Sequence, residues 1–249
     1  MFFDRRHCGR VEVAFTDRHD GTSTGPWTSL DLGAGGGDDP AAVERNLALL
    51  AGELGLAASD LVLTRQVHGN AVTVIDGTWR AGHLPSGDAL VTGRTDVALC
   101  VRVADCTPVA LADPVRGLAG VVHAGREGLR VGVVAAAVSR LRAMGADALQ
   151  AWVGPRACGA CYEVPDQMRA QVAAVAPASW STTRQGTPAL DVGAGVVEQL
   201  RALDVDVQDL ATPGYGCTLE NPDLYSYRRQ GATSGRSAVV VRVHAGRAA

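Results

Sequence analysis

A chain of 249 residues with 47% hydrophobic content can bury a sizeable core. Its formal net charge of −3, with no basic tract, argues against a nucleic-acid partner. No run reaches the roughly 18 consecutive apolar residues of a membrane span, and all 23 basic residues are arginine, which excludes Schiff-base chemistry, pyridoxal-phosphate attachment and a Walker-type phosphate lysine.

The opening MFFDRRHCGR has no apolar signal-peptide core, so a cytoplasmic protein is expected. RVEVAFT (10–16) alternates as a strand. The polar, glycine-rich stretch 16–38 is long for a connection, and its GAGGG run lacks the GxGxxG spacing, so it reads as a functional, flexible loop rather than a phosphate-binding loop. Asp39-Pro40 caps a helix over about 40–54. LVLTRQV (61–67) and AVTVI (71–75) read as a hairpin with His68 at its turn, and DALVT (88–92) as a short strand.

VALCVRVADC (97–106) and GLAGVVHAG (117–125) are rich in β-branched residues and end at Asp105-Cys106 and at His123. A helix over 128–145 is stopped by Gly145, and LQAWVG (149–154) is a strand. Helices follow at 165–176 and, capped by Asp191, at 191–203. After a polar aromatic segment (214–236), SAVVVRV (237–243) closes as a buried strand, and the last six residues read as a frayed tail. Strands outnumber helices without strict alternation, and no linker divides the chain, so one α+β domain over 1–249 is expected.

The six cysteines (Cys8, Cys100, Cys106, Cys158, Cys161, Cys217) are too scattered for a disulfide scaffold and remain available as thiols. A cysteine and a histidine at neighbouring strand ends are either a nucleophile with its base or two metal ligands. His68 is a third such residue, and two imidazoles with a thiolate suit zinc with a position left open. Cys158-Gly-Ala-Cys161 has the spacing of a redox pair or half of a zinc site, but no second CxxC accompanies it.

Asp105 either orients a histidine or caps its strand, since alternation aims it away from Cys106 unless the backbone bends. Glu163 is a candidate acid–base group. Arg228 and Arg229, beside Tyr225 and Tyr227, offer planar forks for phosphate.

TRQVHGNAV, DALVT, VRVADCTPVALAD, VHAG, WVGP with CYEV, and SYRR followed by GR resemble, in this order, the YfiH-like family. Its members are described as polyphenol oxidases with a laccase domain, purine nucleoside phosphorylases and peptidoglycan editing factors. SLDLG and GDDPAAVERN match as well, so the resemblance covers nearly the whole chain.

The resemblance implies a four-layer sandwich with a β-core flanked by helices. It implies zinc on His68, Cys106 and His123; from the residues themselves, Asp105, Glu163 and Arg229 are expected to be the catalytic side chains beside it. The implied reaction is phosphorolysis of adenosine, inosine or methylthioadenosine, with adenosine deamination beside it. The zinc-deaminase signature HxE with PCxxC is absent, so any deamination uses a differently built site.

Two other readings stand beside that one. The older label implies a copper-dependent phenol oxidase, although six histidines cannot supply a type-1 site and a three-copper cluster. The editing role implies a cysteine or metal hydrolase. One departure bears on substrate: where the family has HAGWRG this chain has HAGREG, with Arg126 for Trp and Glu127 for Arg. Nothing in the sequence sets an oligomeric state.

Overall fold

The computed structural model describes residues 1–212 and 214–245. The first half runs β1 (Phe2–Cys8), β2 (Val11–Thr16), α1 (Pro40–Glu53), β3 (Leu61–Val62), β4 (Val72–Ile75), β5 (Ala89–Thr92), β6 (Ala98–Val103), β7 (Thr107–Asp113) and β8 (Leu118–Ala124). Then come α2 (Arg126–Arg130), α3 (Val133–Ala143), β9 (Gln150–Val153), α4 (Asp166–Ala173), β10 (Trp180–Thr182), β11 (Pro188–Leu190), α5 (Val192–Ala202), β12 (Asp206–Asp209), α6 (Tyr227–Gln230) and β13 (Ser237–Val243).

Two large sheets face each other, one ordered β1-β2-β13-β6-β3 and the other β12-β9-β7-β8-β5-β4; β10 and β11 form a separate pair. Strand alternation builds the layers. Leu99 and Val101 of β6, with Val239, Val241 and Val243 of β13, point inward to meet Ala110, Val121 and Trp152 of the second sheet. On the outer face of the first sheet, Cys100, Ala238 and Val240 pack against Leu50 of α1 and Leu54, which caps it. On the outer face of the second, Val109, Leu111 and Val122 meet Val134, Val138 and Leu141 of α3 and Val196 and Leu200 of α5. The architecture is therefore helix, sheet, sheet, helix: a four-layer α+β sandwich in one domain.

The capped helices fall where the sequence puts them, with Asp39 accepting from the Ala41 N–H and Asp191 from that of Ala194. Three local readings are corrected. The runs at 61–67 and 71–75 are not a hairpin: β3 pairs in parallel with β6, whereas β4 pairs in parallel with β5 in the other sheet. His68 therefore lies on a crossover between sheets. The helix read over 128–145 is two, because Gly132 takes a left-handed φ of 81° and breaks it. The strand expected to end at Cys106 stops at Val103, and β7, buried on both faces and so without alternation, begins just after the cysteine.

His244, expected to open a frayed tail, is held in place: its N–H donates to the Arg10 carbonyl at 2.7 Å and its ring meets Glu12 Oε2 at 3.0 Å. Residues 246–249 of the expected tail lie outside the described residues.

Candidate metal centre

The inter-sheet turn and the antiparallel pairing of β7 with β8 bring the site together. Pro108 of β7 lies opposite His123 of β8, so Cys106, just before β7, reaches the end of β8 where His123 sits. His68 arrives on the crossover after β3. Its ring is 4.7 Å from that of His123, edge to face, and its Nε2 is 3.9 Å from Cys106 Sγ. One donor atom from each residue lies within 4.8 Å of the others. The glycine of VHAG is required by this packing, because a Cβ on Gly125 would sit 2.9 Å from His68 Cδ2 and 3.2 Å from Cys106 Sγ.

Asp88, fully buried at the foot of β5, organises the cluster. Its carboxylate accepts the N–H groups of Val67, His68 and Gly69 at 3.2, 2.9 and 2.7 Å and meets His123 Nδ1 at 2.8 Å. Its own carbonyl takes the His123 N–H at 2.7 Å. One side chain thus holds the left-handed backbone of His68 (φ 60°) and the tautomer of His123, leaving Nε2 to face the thiol. Burial works against the carboxylate, but the His123 ring and the Gly69 and His68 N–H groups hold it below its ordinary pKa.

Burial likewise raises the Cys106 thiol, yet the charge and hydrogen bond of His123, aided by His68, bring it down to about 6. His123 is lowered by burial and raised more by the Cys106 thiolate and Asp88, reaching about 9. Two imidazole nitrogens and a readily ionised thiol could hold a borderline metal ion as three donors.

The cluster forms one wall of a cavity of about 740 Å³, a volume suited to a small-molecule ligand. Arg65, Arg102, Arg126, Arg228 and Arg236 line it, with Tyr162 and Tyr227 and with Gly33 and Ala34 of the long N-terminal loop. Asp105 is its single lining carboxylate among the described residues. Arg126, in the place of the family tryptophan, faces the cavity, while Glu127 turns away to Arg130 at 2.6 Å.

The other expected residues divide. Asp105 bends at φ 85°, and its carboxylate takes the Thr218 hydroxyl at 2.5 Å and the Arg228 N–H at 2.7 Å. It orients no histidine; Asp88 does. Nothing in the sequence marks Asp88 for this role, because an acid opening a short strand looks like any strand-end residue. Glu163 is exposed and outside the cavity lining, although its carbonyl takes Arg228 Nη1 at 2.9 Å. Arg229 also lies outside the lining: its guanidinium is occupied by the carbonyls of Thr218, Asn221 and Leu224 at 2.8, 2.9 and 2.5 Å. Arg228 takes the place at the cavity expected of its neighbour.

Fold and site together describe a four-layer α+β sandwich with a His-His-Cys cluster in the wall of an arginine-lined cavity. Residues 12–244 match the family model described as multi-copper polyphenol oxidoreductase laccase. The chain belongs to this YfiH-like, laccase-domain family.

It is similar to the purine nucleoside phosphorylase ORF3 of Streptomyces griseus, 51% identical over 92% of this chain and 93% of the relative. A purine nucleoside phosphorylase of Deinococcus radiodurans is 38% identical over 93% of this chain and 88% of its own length. Among solved structures, Neisseria meningitidis protein NMB0706 superposes with a TM-score of 0.84 at 28% identity, covering 98% of this chain and 99% of that one. YlmD from Geobacillus stearothermophilus gives 0.82 at 27%, covering 95% and 93%.

Proposed function

We propose that the protein is a zinc-dependent purine nucleoside phosphorylase that also deaminates adenosine, working in the cytoplasm. The observation that carries this reading is the three-donor cluster set in the wall of a cavity ringed by five arginines, which suits an anionic co-substrate. The names of the relatives support it, and so do six free thiols, which fit a reducing compartment.

In phosphorolysis a phosphate oxygen bonds to C1′ of the ribose as the bond from C1′ to the purine breaks. The electron pair leaves with the purine, which takes up a proton, and ribose 1-phosphate remains. In deamination water replaces the C6 amino group and ammonia departs. A bound zinc ion supplies Lewis acidity at the cavity wall.

The chain's own residues bind and orient. Arg65 and Arg126 line the cavity with no side-chain hydrogen bond among the described residues, so their forks are free for phosphate; Arg126 has only a 3.9 Å approach to Glu127. Arg228 lies 4.6 Å over the Tyr162 ring and is set by Asp105, which acts as a positioning residue. Tyr162 and Tyr227 present aromatic faces on which a purine ring can stack.

The copper reading has the name of the matching family model in its favour, but the geometry favours one metal at the cavity. The other histidine group, His7 and His244 around Glu12, lies at the far end of the first sheet, where Val243 pairs with Val11.

The test is to purify the protein without added metal, identify its metal, and incubate it with adenosine or inosine in the presence and absence of phosphate. Phosphate-dependent release of adenine or hypoxanthine with ribose 1-phosphate, lost in Cys106→Ala, is expected. A zinc-loaded wild-type protein that forms neither free base nor inosine overturns the reading.

A further inference from the structure

A second donor cluster stands apart from the first. Cys158, Cys161, Cys217 and Glu220 each place a ligand atom within 4.8 Å of the others. In sequence this is a CxxC followed, more than fifty residues later, by a CxxE. The loops that carry them leave neighbouring strands: β9 and β12 run in parallel, with Gln150 opposite Asp206. The loops are then laced together, since the Arg156 N–H donates to the Gly216 carbonyl at 3.0 Å and the Thr218 N–H to the Arg156 carbonyl at 3.1 Å.

Each half closes its own tight turn. The Cys161 N–H donates to the Cys158 carbonyl at 3.0 Å and the Glu220 N–H to the Cys217 carbonyl at 3.1 Å. The first and fourth residues of each motif thereby fall on the same side.

We propose that these four residues hold a second zinc ion, in a closed structural site that clamps the two loops together. Tetrahedral zinc with bonds of about 2.3 Å to sulfur sets its sulfurs roughly 3.8 Å apart, so the observed spacing needs only a small contraction. Glu220 adds an independent pointer: its Oε2 is buried without a hydrogen-bond partner, whereas Oε1 pairs with Arg184. Three thiolates and a carboxylate around a dication leave a surplus of negative charge. Arg184 answers it, reaching Cys161 Sγ at 3.2 Å and Glu220 in the same fork.

The clamp bears on the cavity. The loop after β9 carries Ala157 and Tyr162 of its wall, and the loop after β12 carries Thr218, which holds Asp105. The second ion is thus a support for the first site, with no open position and no part in the chemistry.

Zinc content per chain, sulfur coordination and thiol state test the proposal on protein purified without added metal. About two zinc ions per chain are expected, falling to about one in Cys161→Ser, about one in Cys106→Ala and none in the double variant. X-ray absorption on the wild type is expected to give about two sulfurs per zinc on average, against about one if only the cavity site is filled; this readout needs no variant to fold. Glu220→Gln is the milder substitution and is expected to release the second ion to a chelator at least about 10-fold faster than wild type. One zinc per chain that disappears in Cys106→Ala overturns the proposal, and so does a disulfide among Cys158, Cys161 and Cys217 in mass spectra of the alkylated protein.

Discussion

The two donor clusters lie at the same end of the sandwich but differ in surroundings. His68, Cys106 and His123 open onto a cavity of about 740 Å³ and number three, while Cys158, Cys161, Cys217 and Glu220 number four and are tied by backbone hydrogen bonds between their loops. Three protein ligands leave room for a water or substrate; four close the sphere. The assembly differs as well. The first cluster gathers from a crossover, a turn and a strand end and depends on a buried carboxylate to align it. The second comes from two tight turns and needs little beyond the register of β9 and β12. The proposed catalytic role falls to the cluster that is harder to assemble.

The largest test of this contrast is Asp88→Ala. Removing a buried carboxylate that serves three N–H groups and an imidazole is expected to destabilise the fold by about 3–5 kcal/mol. It should also weaken zinc at the cavity 10-fold or more, roughly the effect of losing a residue that orients a ligand. Urea unfolding and metal titration measure both, and an unchanged affinity at the cavity would mean that His68 and His123 align without it.

The pH dependence of zinc uptake separates the clusters next. In the metal-free protein His123 keeps its proton up to about pH 9 while Cys106 has lost its own above about pH 6. Between these values the metal must displace one proton, so affinity at the cavity rises about 10-fold per pH unit and flattens above about 9. Calorimetry in buffers of different ionisation enthalpy, on Cys161→Ser protein, counts that proton. Release of none at pH 7.5 contradicts a Cys106 thiolate beside a protonated His123.

Arg126→Trp restores the family residue and should act on substrate alone. Loss of one free guanidinium from the cavity costs about 1.5 kcal/mol of a charge-assisted bond, which is about a 10-fold rise in KM for phosphate with zinc content unchanged. An unchanged KM leaves Arg65 as the principal phosphate fork.

The smallest effect belongs to the third group. His244→Ala removes a partner of Glu12 that is itself half-exposed, and Arg5 still reaches Glu12 at 2.7 Å. A change below about 1 kcal/mol, with metal content intact, is expected in melting and elemental analysis; loss of a metal ion would make this group a third site.

Much of this was readable from the residues. Capping at Asp39 and Asp191, the alternation of RVEVAFT, the apolar run SAVVVRV, and the ordered motifs from TRQVHGNAV to SYRR led to the α+β sandwich and to the three candidate donors. Local chemistry writes these features, because a cap or an alternating strand is satisfied within a few residues. The supposed hairpin at His68 failed for the opposite reason: strand periodicity says which face is buried but not which sheet the strand will join.

The same limit hid Asp88, whose role depends on three N–H groups about twenty residues earlier and an imidazole thirty-five residues later. It also hid the choice between adjacent arginines. Arg229 is drawn into the carbonyls of Thr218, Asn221 and Leu224, and Arg228 is left facing the cavity. The amino acids alone determined the α+β class, the candidate thiol and imidazole residues and the lack of any lysine chemistry. Only the tertiary structure decided which carboxylate orients them, which arginines remain free, and that a lone CxxC meets a CxxE. Long-range pairing sets those outcomes, and it leaves no periodic trace in the chain.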